Sequence, residues 1–424
     1  MEYMIRLAQC HETFRVAELQ AVATVVGVDL EIVSYDEYSP YCIVKLENDE
    51  AARKLISRTI LAKDISELWG QGTNYDELHA DVKKRTSHRW ADYNDIPFAF
   101  ALTPPLQFIV MEEYIGDTEA SALGVSRITE PRKVFLGRFI ANSARDAIDK
   151  YDLKKRQYIS TTSMDAELSL VTANMALAAP GKVLYDPFVG TGSFMVAASH
   201  FGALTFGSDI DPRSFRGKDE EKGMGKNVQA NFKQYGIESK FLDTFTSDLT
   251  NTPLRNGQLL DGIICDPPYG VREGLRVLGT RNGKAIEPVV IDGVLNYYRP
   301  GYIPPKRPYG FEALQRDILD FAVRSLVPGG RLTMWMPTTN DEAKEFPVPM
   351  HPNLEVIAVS VQHFGNWARR LMTYRRLPEG EASDISKGRS NADQRGITAD
   401  ELNGFRRKYL ARNDTPDEGR NPTQ

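Results

Sequence analysis

Apolar positions near the start of the chain switch between a period of two and a period near 3.6. Tyr3-Met4-Ile5-Arg6-Leu7 predicts a strand and Thr13 to Val25 a helix. Two more strands follow over Glu31–Tyr35 and Tyr41–Leu46, then a helix over Asp49–Ile56. That order predicts a small α+β unit with helices on one face of a sheet. From Tyr75 to Tyr151 the pattern predicts a helix over Asp76–Trp90, strands over Phe98–Leu102 and Gln107–Met111, and a helix near Phe139–Ile148.

Beyond Thr161-Thr162-Ser163-Met164-Asp165, which has the form of a helix start, the pattern becomes regular. A helix continues through Leu177 and stops at Pro180-Gly181. Strands are predicted over Val183–Tyr185, Leu204–Gly207, Ser239–Leu242, Gly262–Cys265 and Arg331–Met336. Helices over Ser193–His200, Gly225–Tyr235 and Phe311–Leu326 alternate with them, and Glu355–Val361 with Arg370–Arg375 closes as a hairpin. Alternation of this kind predicts an α/β, doubly wound, Rossmann-like parallel sheet with a late antiparallel addition. Val271–Gly310 interrupts it as an insert rich in Gly, Arg, Tyr and Pro. Pro378–Arg395 is a polar linker, Thr398-Ala399-Asp400-Glu401 caps a short helix ending near Leu410, and Asn413–Gln424 is an expected disordered tail.

Composition narrows the class. At 424 residues, 42% hydrophobic and 26% charged, the chain is a multidomain folded protein. No apolar run approaches the roughly 18 residues of a membrane span, and the first residues lack the form of a secretory signal. Cys10, Cys42 and Cys265 are scattered, which fits a reducing, cytoplasmic setting and no disulfide framework. The six histidines pair with no cysteine at zinc spacing, so no metal is expected. Net charge is −5, with six Lys/Arg against ten Asp/Glu in residues 1–60. Basic clusters further on, Lys83-Lys84-Arg85 with Arg89 and Lys154-Lys155-Arg156, are the candidate phosphate contacts, since local patches decide such binding.

Three motifs carry chemistry. An apolar strand ends in Asp186-Pro187-Phe188-Val189-Gly190-Thr191-Gly192, whose glycines let backbone approach a ligand before a helix begins. The third glycine of a dinucleotide loop is absent, with Met195 in its place. A carboxylate ahead of the loop suits a cationic amine better than a pyrophosphate, and S-adenosylmethionine carries an amine and a sulfonium. Asp209, at the end of the next strand, is placed to accept from a ribose, with Ile210 against an adenine. Asp248 and Leu249 follow the third strand, where a carboxylate can accept from the adenine amine. Finally Asp266-Pro267-Pro268-Tyr269 follows an apolar strand. The prolines fix an extended turn without N–H donors, so the Asp266 carboxylate and Pro267 carbonyl can both accept from one exocyclic amine and stabilise its developing charge. Tyr269 offers a face for a flipped base.

With these motifs the chain resembles the amino-group methyltransferases bearing an (Asp/Asn)-Pro-Pro-Tyr turn, and within them the THUMP-domain catalytic subunits that methylate N2 of guanosine ten in eukaryotic tRNA. The resemblance rests on Asp149–Arg156, Thr161–Ser169, Asp186–Ser193, Asp266–Gly270 and Phe405–Tyr409. It implies a ferredoxin-like domain over residues 1–72 and a THUMP RNA-binding domain over 73–158. The methyltransferase domain is expected over 159–378 with its insert at 271–310, and a linker, helix and tail over 379–424. It further implies tRNA as substrate and a heterodimer with a small zinc-binding activator subunit, which would add a strand at an open edge near Ser239–Leu242. Residues alone leave other readings open: an N6-adenine methyltransferase, a catalytically silent RNA-binding scaffold, and, more remotely, a nicotinamide-dependent dehydrogenase.

Overall fold

A computed structural model describes residues 1–93, 107–114, 130–217, 226–270, 275–279, 289–299, 302, 304–340, 347–365 and 367–381. The expected strand at Phe98–Leu102, the helix after Thr398 and the tail lie outside them. The chain divides into two compact units, Met1–Asp152 with Ala166–Leu177, and Leu153–Asp165 with Ala178–Gln424.

The first unit is built on six strands: β1 (Glu2–Leu7), β2 (Glu31–Tyr35), β3 (Tyr41–Lys45), β4 (Ala62–Gly72), β5 (Phe108–Glu113) and β6 (Lys133–Asn142), in the order β2-β3-β1-β4-β6-β5. Helices over Glu12–Val26 and Asp49–Ile56 close a core of Tyr3, Ile5, Leu19, Val44 and Leu55. Strands from residues 1–72 and from 73–158 therefore share one sheet. The pivotal β4 escaped the alternation test because it is covered on both faces. It buries Asp64 and Glu67 against arginines, Arg6 for Asp64 and Arg89 and Arg138 for Glu67. The helix expected near Phe139–Ile148 is a correction: Phe139 and Ile140 belong to β6, and helix covers only Asp146–Lys150. Val134, Phe135, Phe139 and Ile140 are residue types that fit a pleated surface. The helix Ala166–Met175, expected to open the catalytic domain, groups with this first unit.

The second unit carries seven strands in the order β16-β17-β15-β10-β7-β8-β9. They are β7 (Val183–Asp186), β8 (Leu204–Asp209), β9 (Phe241–Thr246), β10 (Leu260–Cys265), β15 (Leu326–Thr338), β16 (Leu354–His363) and β17 (Ala368–Arg376). From β15 to β9 every pairing is parallel; β17 runs antiparallel to β15 and β16, the late addition expected. Tyr185, Ile263, Phe321, Leu332 and Tyr374 anchor its core. The edge strand starts later than expected, since Glu238–Lys240 form a 3₁₀ turn and pairing begins at Phe241. Within the insert, β11 (Arg276–Leu278) pairs with β14 (Lys306–Pro308), and β12 (Val290–Ile291) with β13 (Val294–Leu295).

Candidate active site

Strand β7 lies between β10 and β8: the chain runs outward from β7 through β8 to β9 and then crosses back to β10 on the other side, so the loops that follow β7 and β10 part at their carboxyl ends. Such a switch point is where open α/β sheets bind ligands. A cleft of about 410 Å³ opens there, within the roughly 300–1,000 Å³ of small-molecule sites.

The glycine loop forms the floor. Asp186 Oδ1 accepts from the Phe188 amide at 2.9 Å, which starts the turn. Gly190 and Gly192 take φ of 48° and 78°, left-handed values that favour glycine. A Cβ on Gly192 would stand 2.8 Å from Val228 Cγ1, so glycine is required for packing as well. Asp209 closes the loop onto β8: its oxygens accept from the amides of Gly190 at 3.1 Å and Asp211 at 2.9 Å.

Pro187, Phe188, Gly190, Thr191, Asp209, Ile210, Asp248 and Leu249 line the cleft, with Asp266, Pro267, Pro268 and Tyr269 opposite. Asp186 and Gly192 do not line it; they shape the loop from behind. Asp248 differs from expectation. Its Oδ1 holds the Thr250 amide and hydroxyl at 2.9 Å, and its Oδ2 accepts from the Leu278 amide at 2.6 Å. The carboxylate thus ties the insert to the cleft.

Burial sets the electrostatics. It pushes the Asp186 carboxyl well above its ordinary range; the Phe188 amide opposes this, and the charges of Asp209 and Asp266 add to it. Asp209 is raised by burial and partly restored by its two amides. Burial likewise raises Asp266, against the opposing pull of the Tyr269 hydroxyl and the Arg369 guanidinium. One Asp266 oxygen, Oδ1, is buried without a hydrogen-bond partner among the described residues.

Several residues join the site that pattern reasoning had passed over. Thr162, Ser163 and Met164 line the cleft, and Ser163 Oγ lies 2.7 Å from Thr191 Oγ1. Tyr309 does too, its hydroxyl bonded to Asp317 and its ring 5.3 Å from the Arg307 guanidinium. From the closing hairpin, the Trp367 ring meets Tyr269 edge-on at 6.3 Å and stacks on Phe364 at 4.6 Å. The Ser/Thr run before the helix was visible as a signal; the hairpin too was expected, but nothing in its pattern told that Trp367 would meet the turn after β10.

Of the expected phosphate contacts, Lys83, Lys84, Lys154 and Lys155 are exposed. Arg85 pairs with Glu2 and Asp81, and Arg89 with Glu67. Arg156 is 6% exposed and donates to Ser193 Oγ at 2.9 Å. It braces the helix after the glycine loop, and its burial removes it from any surface patch. The described residues place Cys10, His11 and Glu167 near one another, with Arg145 on the Glu167 carboxylate at 2.9 Å. No helix among them is long and apolar enough to cross a membrane.

Residues 1–104 match the family model described as the Tmrp11 THUMP N-terminal domain, and residues 154–277 the RMKL-like methyltransferase domain. The tRNA (guanine(10)-N(2))-methyltransferase of Saccharomyces cerevisiae is 42% identical, covering 88% of this chain and 92% of its own. The chain belongs to that methyltransferase family. The Schizosaccharomyces pombe protein of the same name is 36% identical, over 90% of this chain and 91% of its own. The protein named tRNA (guanine(10)-N(2))-methyltransferase TRMT11 from Homo sapiens is 31% identical, over 90% and 89%. Among solved structures, TrmN from Thermus thermophilus aligns with a TM-score of 0.40 and 16% identity, covering 89% of this chain and 100% of that one.

Proposed function

We infer that the protein transfers a methyl group from S-adenosylmethionine to the N2 exocyclic amine of guanosine ten in tRNA. The observation that carries this is the buried Asp266 Oδ1, an acceptor at the ligand cleft without a donor among the described residues. A buried acceptor left so is costly, and an amino group entering the cleft would satisfy it.

The residues fit the cofactor. Its cationic amine and sulfonium suit a cleft bounded by Asp209, Asp248 and Asp266 with Asp186 behind, and the glycine loop leaves backbone open to a ligand. The glycine loop would hold the methionine portion, Asp209 the ribose, and Ile210 and Leu249 the adenine. When bound, S-adenosylmethionine supplies an electrophilic methyl group. Asp266 and the Pro267 carbonyl accept from the guanine amine, pull its nitrogen toward tetrahedral geometry and stabilise the charge it gains. Pro268 holds that turn, and Tyr269 with Trp367 offers aromatic surface to the base. The amine attacks neutral, so no base is needed before transfer; as the nitrogen–carbon bond forms the methyl's bond to sulfur would break, leaving a neutral thioether, and the surplus proton leaves the nitrogen for water.

We assign tRNA capture to the modules expected over residues 1–72 and 73–158, with Lys83, Lys84, Lys154 and Lys155 as phosphate contacts. A small zinc-binding activator subunit is the proposed partner. It would extend the sheet at β9, whose only strand neighbour among the described residues is β8 and whose Leu242 is 52% exposed. The whole reading is tested by incubating the chain with unmodified tRNA and mapping the product by mass spectrometry. N2-methylguanosine at position ten is the expected result; a methylated adenine, or none, would refute it.

A further inference from the structure

The insert at 271–310 borders the cleft through Tyr309 and Leu278 but has no step in the proposed transfer, and its composition is unlike that of the chain around it. In a chain of net charge −5, these residues hold seven Lys/Arg against three Asp/Glu, and four tyrosines. Its stalk is the antiparallel pair β11 and β14, extended by a bond from the Gly279 amide to the Pro305 carbonyl at 2.9 Å. The Asp248 carboxylate pins that stalk to the cleft through the Leu278 amide.

The stalk's cations stand at the rim of an acidic cleft. Arg276 lines the cleft and is exposed, while Lys306 and Arg307 lie on the paired strand. The carboxylates that suit a cationic cofactor repel a phosphate, so a polynucleotide strand reaching Asp266 needs compensating cations at the entrance. Between the two stalk strands the chain carries β12 and β13 and then Tyr297 and Tyr298, 46% and 73% exposed, with ring centroids 4.6 Å apart. Aromatic rings beside cations are the ordinary means of gripping an unpaired strand, whose bases stack while its phosphates pair.

We propose that the insert is a second tRNA-binding element, in which Arg276, Lys306 and Arg307 hold the backbone beside the target nucleotide and Tyr297 and Tyr298 stack on unpaired bases next to it. The inference rests on tRNA being the substrate. It commits the hairpin's exposed surface to RNA on two grounds: the charge contrast with the cleft, and the continuity of the stalk with the cleft wall.

The test uses the full chain co-purified with whatever partner accompanies it. Steady-state kinetics on unmodified tRNA, at saturating cofactor, would compare the unaltered protein with Tyr297→Ala/Tyr298→Ala and with Arg276→Gln. The tyrosine pair is expected to raise KM for tRNA about tenfold or more, exceeding any fall in kcat, with cofactor affinity unchanged. Tyr297→Phe/Tyr298→Phe, which keeps both rings, is expected to restore KM. Arg276→Gln should raise KM and make it less sensitive to salt. An unchanged KM in the tyrosine variant overturns the proposal, as does an effect confined to loss of a co-purifying protein, which would mark the hairpin as a protein interface. Absence of methyl transfer by the unaltered chain would overturn the tRNA reading itself, a result separable from either.

Discussion

In the six-stranded sheet, Glu67 is buried with both oxygens engaged: Arg89 at 2.5 Å on one, Arg138 at 2.7 Å and the Trp69 indole at 2.9 Å on the other. At the end of β10, Asp266 keeps one buried oxygen without a donor among the described residues. Asp266 follows an apolar strand and Glu67 sits inside a strand of mixed character, and neither announces its role by type. Burial would raise Glu67, but the bonds from Arg89, Trp69 and Arg138 outweigh it and hold the carboxyl below its ordinary range. Burial raises Asp266, and what opposes it does not restore it. One sheet spends its buried charge on its own cohesion. The other leaves acceptor capacity for a molecule that arrives.

Neutralising the two acids is therefore expected to act in opposite directions. Glu67→Ala takes the buried carboxylate from two half-buried arginines, of which Arg138 keeps Asp49 and Arg89 keeps no other acid among the described residues. Removing one partner of a buried pair costs up to about 3–5 kcal/mol, read as a fall in the denaturation midpoint. A lowered folded pKa adds stability above the unfolded value and loses it as pH falls through the folded one. The defect should thus be large at neutral pH and shrink in acid. Asp266→Asn carries the reverse sign: its raised folded pKa costs stability only as pH climbs above the ordinary carboxylate value. A rise of roughly 2–4 °C in Tm at neutral pH is expected, the size of a typical stabilising change, vanishing in acid. Equal destabilisation by both substitutions would erase the distinction.

Unmet valence extends to the backbone at β9, and there the expected effect on the chain itself is smallest. Leu242→Glu should change intrinsic stability by no more than about 0.5 kcal/mol, as exposed positions do. It should nonetheless strip a strand-adding activator from the purified complex. A complex that survives the substitution would refute docking at this edge.

Much of the second unit was legible because its physics is local. A helix over Ser193–His200, the hairpin and the order of the three motifs follow from period, caps and glycine positions. The first unit hid β4, since Asp64 and Glu67 look like surface residues until the arginines that cover them are known. The same blindness governed the site. Asp209, Asp266 and Tyr269 stood at strand ends where pattern could name them, and all three line the cleft, whereas Trp367 and Arg369 reach the turn only through antiparallel pairing. Arg156, read as a phosphate contact, is buried with its guanidinium on Ser193 and over the Tyr235 ring, contacts no run of basic residues can disclose.

The division between acids that shape the cleft and the acid that meets the substrate can be put to one measurement. Cofactor affinity by calorimetry and the single-turnover rate of methyl transfer to tRNA would be determined together for Asp266→Ala and Asp209→Ala. Asp266→Ala is expected to bind S-adenosylmethionine nearly as well as the unaltered protein and to lose about 10²–10³ or more in rate, while Asp209→Ala loses cofactor affinity. Equal loss of cofactor binding in the two variants would contradict the account.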